Sequence, residues 1–471
     1  MAHRHPCDHS DVRREYATGD GMEQQTGERG KLVLKTTRGL NRDNTLFVVL
    51  SFEGPDRYSL AGGLGVRVSH LSQTLAQQGY PTHLLFVGDP YKEGREETLG
   101  GRLTLHRWCQ WISRYHPDGV YQAENEKLWD FDRSAPYFIT DEIIKPAVEE
   151  GKAVVVMGEE WQTAKSMCTV DDLLKRNGIR DNVLSLWNAN NTFSFDRIDW
   201  SRLSNAATIT TVSRYMKHIM WKMGLNPLVI PNGIPKHLLN KVNQREASSL
   251  RKALGECLVL TKVARWDPDK RWNMAVEAVA RMKSCGHRVA LMARGGVEPH
   301  GTEVLDNARQ AGLRVKDVLC SEDRPEARLR AIEDAGPADV LNIKFYMPEE
   351  MTRVAYNAAD GVLANSGHEP FGLVGLETMA AGGVAFTGCT GEDYAVPLEN
   401  AIVLETDDPG EIVEYVTYLE EHKDEKDRIR KAGKRTAQQY AWEAIISNLV
   451  SKLEYLARHN GVQFATAAMA S

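Results

Sequence analysis

The chain has 471 residues, 42% apolar and 26% charged, with a formal net charge of −6 at pH 7. That length suits two or three domains with cores of their own, and the near-balanced charge argues against non-specific nucleic-acid binding. No apolar run approaches a membrane span, no apolar secretory core stands at the N-terminus, and the 7 cysteines are scattered without a C-x-x-C pair. Reduced thiols in a cytoplasmic protein without a disulfide framework are therefore expected.

Residues 1–44 are polar, charged and almost without apolar periodicity, the composition of a flexible tail. His3, His5, Cys7 and His9 alternate there, but alternation in an unstructured end is not read as a metal site. Order is expected to begin at Leu46–Leu50, an apolar run typical of a buried parallel strand. A loop bearing Gly62, Gly63 and Gly65 follows, then a helix from about Val66 to Gln78 and a strand Thr82–Val87. The glycines let a ligand approach the backbone, yet Val68 stands where a G-x-G-x-x-G fingerprint needs its third glycine, so a nicotinamide site is not indicated.

Residues 105–138 read as irregular and aromatic: Trp108, Trp111, Tyr115, Tyr121, Trp129, Phe131, Tyr137 and Phe138. Such rings either fill a core or stack on sugar rings, and both readings stay open. Strands are expected at Ala153–Met157, Val183–Trp187 and Thr208–Val212, then a helix Tyr215–Met223 with Met216, Ile219, Met220 and Met223 on one face. Pro231, Gly233 and Pro235 suit an interdomain turn.

Beyond Pro235 strands and helices alternate again: Leu258–Lys262, Trp272–Lys283, Arg288–Ala293, Glu303–Ala311 and Val340–Lys344. That pitch implies a parallel sheet covered by helices. After the first of these strands come Arg265 and Lys270, a pair able to clamp a diphosphate and offset charge on a departing nucleotide. The D-x-D pairs Asp130/Asp132 and Asp267/Asp269 are not taken as metal sites. Then follows Asn365-Ser-Gly-His-Glu-Pro-Phe-Gly-Leu-Val-Gly-Leu-Glu-Thr-Met-Ala-Ala-Gly-Gly383. The run Gly361–Asn365 reads as a strand, Leu373–Ala381 as a helix stopped by Gly382-Gly383, and Gly372 lies at the helix mouth. Free N–H groups in that first turn favour an anion such as a diphosphate, and the carboxylates of Glu369 and Glu377 bracket it.

This stretch resembles the E-x7-E signature of retaining GT-B glycosyltransferases, particularly glycosyltransferase family 4 (glycosyl transferase group 1) and the related glycogen and starch synthases. Other segments are similar to the same group. Arg265 and Lys270 match its G-R-x4-K-G segment, with Arg271 at the usual glycine. Gly62-Gly63-Leu64-Gly65 matches its glycine loop, although Leu60 stands where a lysine normally precedes it. Glu160-Trp161 sits at the Asp-Trp of its H-D-W-x-T-A segment. Trp187-Asn188 occupies the place of a histidine–asparagine pair, so the histidine that faces the transferred sugar is replaced.

The resemblance implies an α/β, GT-B fold: two Rossmann-like doubly wound domains facing across a cleft. Expected parts are a tail 1–44, an acceptor domain 45–235, a nucleotide-sugar domain 236–438, a helix 439–458 crossing back to the N-terminal domain, and a tail 459–471. It further implies a retaining, metal-independent hexosyltransferase moving a hexose from a nucleotide-diphosphate sugar to a glycan or small-molecule acceptor. The catalytic group would be Glu369, Arg265 and Lys270. Donor contacts would come from Gly62, Gly63, Asn188, Phe371, Gly372, Leu373, Val374 and Glu377, with no metal ligand and no cofactor beyond the nucleotide-sugar co-substrate. No nucleic-acid partner is expected. A sugar phosphorylase, an epimerase on the same fold, and a non-catalytic nucleotide-sugar-binding protein stay open as alternatives.

Overall fold

The computed structural model describes residues 39–388 and 390–462; the N-terminal tail up to residue 38, with His3, His5, Cys7 and His9, lies outside them. Two sheets organise the described chain. The first holds β1 (Thr45–Leu50), β2 (Thr82–Val87), β3 (Arg95–Thr98), β4 (Leu103–Trp108), β5 (Ala153–Glu159), β6 (Val183–Ala189), β7 (Thr208–Thr211) and β8 (Leu228–Val229). Their spatial order is β3-β4-β2-β1-β5-β6-β7-β8, parallel except for the edge strand β3. The second holds β9 (Leu258–Val263), β10 (Val289–Arg294), β11 (Val315–Val318), β12 (Val340–Ile343), β13 (Gly361–Ala364), β14 (Ala385–Thr387) and β15 (Ile402–Val403), in the order β11-β12-β10-β9-β13-β14-β15.

Central strands such as Thr45–Leu50 and Ala153–Glu159 are buried along their whole length, because helices cover both faces of each sheet. In both sheets the chain winds outward from the first strand, then returns to its other side: β5 pairs with β1, and β13 pairs with β9. Each reversal opens a crevice at the carboxyl ends of its strands. The four loops that follow β1, β5, β9 and β13 carry most of the sequence features singled out above.

The aromatic region is more ordered than its composition suggested. Residues 105–138 resolve into β4, a short helix Gln110–Ser113 and a helix Glu124–Phe138. The helical stripe Lys127, Phe131, Ala135 is interrupted by charges and includes a buried lysine, which hides its period in the sequence. Strands β5 and β6 also run two residues past their expected ends, to Glu159 and Ala189. The stretch before the last helix forms two helices, Pro409–Glu421 and Lys423–Gln439, meeting at His422. The Leu373–Ala381 helix has the expected limits, and Gly382 ends it in the left-handed region at φ +78°.

The last helix, Trp442–His459, packs through Trp442, Ile446, Leu449 and Leu453 into the core layer of the first sheet, with Val68, Leu71 and Leu75. The chain thus passes between the sheets twice, and the two passages lie side by side. Ile234 N–H donates to the Tyr440 carbonyl at 2.8 Å, and Trp442 N–H donates to the Ile234 carbonyl at 3.0 Å. No described helix is long and apolar enough to cross a membrane.

Candidate active site

Between the sheets lies a cleft with two adjoining cavities, of about 710 and 450 Å³. Arg265, Lys270, Glu369, Gly372 and Gly63 border both. The C-terminal wall is built by the loops after β9 and β13, which Asp269 ties together. Its carbonyl accepts from Gly367 N–H at 2.8 Å, and its Oδ1 accepts from His368 N–H at 3.0 Å. That tether brings Lys270 Nζ to 3.3 Å from Glu369 Oε2, a pair whose side chains are 16% and 30% exposed. Arg265 is exposed toward the same space, and its carbonyl accepts from the buried Trp272 Nε1 at 2.8 Å, which fixes the turn. Asp269 therefore has a structural partner set, and among the described residues no group of three His, Cys, Asp or Glu side chains stands ready to hold a metal ion.

Gly372 caps the Leu373–Ala381 helix at φ +79°, a conformation that L side chains resist. Its carbonyl accepts from the Tyr394 hydroxyl, and an added Cβ would lie 3.1 Å from Thr390 Oγ1. The segment 390–394 is thus folded against the back of the helix mouth, leaving the front open to the cleft. Phe371 is buried against Tyr394 and Tyr440, with ring centroids at 5.7 and 6.1 Å. Leu373 borders the larger cavity and Val374 the smaller. Glu377 lies one turn deeper and borders neither cavity. Loss of hydration, then the neighbouring Glu349 and Glu369, pushes its carboxyl up to about 7.

The opposite wall comes from the first sheet. Gly62 and Gly63 lie at the cleft, but the Gly62 and Gly65 N–H groups are already engaged: both donate to Glu53 Oε2, at 2.8 and 3.0 Å. Tyr121 donates to the other oxygen of Glu53 at 2.5 Å. Only Gly63 presents open space to a ligand, with nothing within 4 Å of its would-be Cβ. Asn188 does not border the cleft. Because β6 continues through it, Asn188 is buried, donating to Glu159 Oε2 at 2.9 Å and accepting from Thr210 Oγ1 at 2.9 Å. Trp187 is likewise enclosed, its ring edge-on to Trp200. Asn190 and Asn191 take the places at the cleft.

Glu53 and Lys262 escaped the motif reading, and Glu160, matched there to a family Asp, carries no site role in it. Glu53 sits just past the carboxyl end of β1, where ligands of doubly wound sheets bind, and that position was the available signal. Glu160 borders the cleft with a strained backbone, φ +68°. Burial pushes its carboxyl up to about 8, against the opposing pull of hydrogen bonds from the Asn190 and Asn191 N–H groups. Its neighbour Glu159 is instead paired with the buried Arg67 at 3.2 Å. Lys262 is fully buried beneath the Arg265 turn. Its Nζ donates to the Leu363 carbonyl at 3.0 Å and to Asn365 Oδ1 at 2.6 Å, and burial, with Lys270 nearby, lowers it to about 7. No motif marks it, since a lysine inside a strand looks like a surface residue.

Residues 245–436 match the family described as glycosyl transferases group 1. Among curated proteins, a D-inositol 3-phosphate glycosyltransferase of Thermomonospora curvata is 25% identical over 129 residues, which cover 27% of this chain and 30% of that relative. The match thus spans under a third of the relative's length. Among solved structures, sucrose-phosphate synthase from Thermosynechococcus elongatus aligns with a TM-score of 0.60 at 18% identity, covering 88% of this chain and 100% of that one. The catalytic domain of starch synthase IV from Arabidopsis thaliana, bound to ADP and acarbose, aligns with a TM-score of 0.62 at 15% identity, covering 88% and 99%. At such identities the likeness is one of fold. Residues 245–436 therefore form a glycosyl transferases group 1 domain, carried in a chain with the two-sheet GT-B fold.

Proposed function

We propose that this chain moves a hexose from a nucleotide-diphosphate sugar to a carbohydrate or small-molecule acceptor, with retention at the anomeric carbon and without a metal ion. The observation that carries the reading is the Lys270–Glu369 pair beside Arg265 at the mouth of the Leu373–Ala381 helix. In this reading Arg265 and Lys270 take the diphosphate, and the free N–H groups after Gly372 add the helix-terminus contribution. Stabilising charge on the leaving diphosphate is then the main catalytic task, and the fixed cations and amides do so without reorganising. Glu369 is released from Lys270 to accept hydroxyls of the transferred sugar, and Glu377 serves the ribose. The acceptor enters from the first sheet, where Glu160, Glu53 and Asn190 offer hydrogen-bonding groups. The substitution in this reading is front-face, as the family resemblance implies.

The test is thermal stabilisation by UDP, GDP, ADP and their sugar conjugates, followed by turnover with the conjugate that binds. Binding to the native state alone raises the melting temperature in proportion to RT ln(1 + [L]/Kd). Stabilisation by one nucleotide-sugar, release of its nucleotide on transfer, and loss of both in Arg265→Ala are the expected results. Stabilisation without any transfer would favour a binding protein, and release of a sugar phosphate would favour a phosphorylase.

A further inference from the structure

The helix Glu124–Phe138 begins in the cleft and leaves it. Glu124 in its first turn borders the larger cavity and accepts from Gln162 Nε2 at 3.1 Å. Farther along, Trp129, Arg133 and Tyr137 recur every fourth residue, which places them on one helix face, and all three are exposed. Trp129 is 58% and Tyr137 49% exposed. From Trp129 to Tyr137 the face rises about 12 Å, long enough for more than one sugar ring. Beside it, the short helix Gln110–Ser113 contributes Trp111, 61% exposed.

These rings are held in place. The Arg133 guanidinium lies 4.7 Å from the centre of the Trp129 ring, and Trp111 Nε1 donates to Asp130 Oδ2 at 3.2 Å. Packing does not account for them, because Trp108, Phe131 and Phe138 on the opposite side already fill that part of the core. An exposed apolar stripe of this size marks a binding surface. Its charge selects the occupant. Asp130 accepts from Trp111 and Arg133 lies over Trp129, and the exposed Glu126 and Arg114 stand three residues from Trp129 and Trp111, so charges of both signs are mixed there without a basic cluster. A face without a basic cluster disfavours anionic lipid headgroups and acidic glycans. Aromatic faces for the C–H faces of sugar rings, with carboxylates placed to accept hydroxyls, suit a neutral saccharide chain.

We infer that the exposed face bearing Trp129, Arg133 and Tyr137, with Trp111 beside it, binds an extended neutral glycan whose end enters the cleft past Glu124. This deepens the glycosyl-transfer reading, on which it rests, by making the acceptor a chain.

The experiment is native affinity electrophoresis of the full chain through gels containing glycogen, dextran, xyloglucan or galactomannan, beside Trp129→Ala/Tyr137→Ala and Trp111→Ala. Each protein is also tested for co-sedimentation with phosphatidylglycerol vesicles and for thermal stabilisation by the nucleotide panel. At least one polysaccharide is expected to retard the wild type, with apparent affinity falling at least ten-fold in the double variant and several-fold in Trp111→Ala. The nucleotide shift is expected to persist in all three, which shows that they fold and retain the donor site. Retardation of none by any polysaccharide, or equal retardation of wild type and double variant, overturns the inference; so does stripe-dependent sedimentation with vesicles, which would make the face a membrane contact. Stripe-dependent retardation without any nucleotide shift would leave the glycan surface standing and remove the glycosyl-transfer reading.

Discussion

Lys270 and Glu369 come from loops a hundred residues apart in sequence, yet their charged groups meet at 3.3 Å across the floor of the cleft. The partly exposed pair contributes little to stability, since such pairs are worth about 0–1 kcal/mol. On the proposed reading the two groups neutralise each other without ligand, and a diphosphate donor would draw Lys270 away and free Glu369. Lys270→Met should lower transfer by roughly 10²–10³-fold, the usual cost of removing one preorganised charge-stabilising group. The melting temperature should stay within about 2–4 °C of wild type. Steady-state turnover beside a thermal melt checks both.

Glu160 predicts an unusual pH dependence of stability. Burial holds its carboxyl at about 8, above its ordinary 4.5, so the native state keeps a proton that the unfolded chain releases. The fold therefore loses stability through this group as pH rises from 4.5 to 8, and gains it back on acidification. Glu160→Gln removes the penalty: it should melt above wild type at pH 8.5, with the difference vanishing near pH 5. A series of melts across that range measures it, and a constant offset at all pH values would count against the assignment.

Glu377 gives the opposite sign in binding. If its carboxylate accepts the ribose hydroxyls, protonation below about 7 removes an acceptor, and nucleotide affinity should weaken as pH falls from 8 to 6. Glu377→Gln should bind about ten-fold more weakly at pH 8, in line with a lost charge-assisted hydrogen bond, and show a flatter profile. Calorimetric titration with the nucleotide identified by the panel decides this.

At Gly372 the prediction concerns the backbone. An alanine there must hold φ +79° while its Cβ meets Thr390 Oγ1 at 3.1 Å. The left-handed conformation alone costs about 1–2 kcal/mol. Gly372→Ala should therefore melt several degrees lower and lose most nucleotide stabilisation, because the helix mouth shifts. Tyr394→Phe, which deletes the hydroxyl bonded to the Gly372 carbonyl, should weaken nucleotide binding with a smaller loss of stability.

What the sequence disclosed and what it hid follow physical lines. Buried parallel strands such as Thr45–Leu50 announce themselves as unbroken apolar runs, and Leu373–Ala381 is bounded by glycines whose conformations only glycine adopts easily. The edge strand Arg95–Thr98, Arg-Glu-Glu-Thr, has three exposed residues and no apolar face to betray it. Asn188 is named a donor contact by its match to the family's histidine–asparagine pair, yet β6 runs through it and buries it, and the buried Glu159 and Arg67 that make this possible lie far off in sequence. Glu53 and Lys262 act through partners brought together by the fold alone, so no local pattern names them. Motifs record spacing along one loop; a cleft between two sheets is made of loops that never meet in sequence.

The Trp442–His459 helix has a consequence for biosynthesis. It covers Val68, Leu71 and Leu75, which are synthesised long before it. At about 5–20 residues per second, the roughly 200 residues between β8 and this helix keep that apolar surface waiting on the order of 10–40 s. A chain terminated between Val229 and Trp442 would keep the first sheet but leave Val68, Leu71 and Leu75 without this cover, an exposed apolar face prone to aggregation.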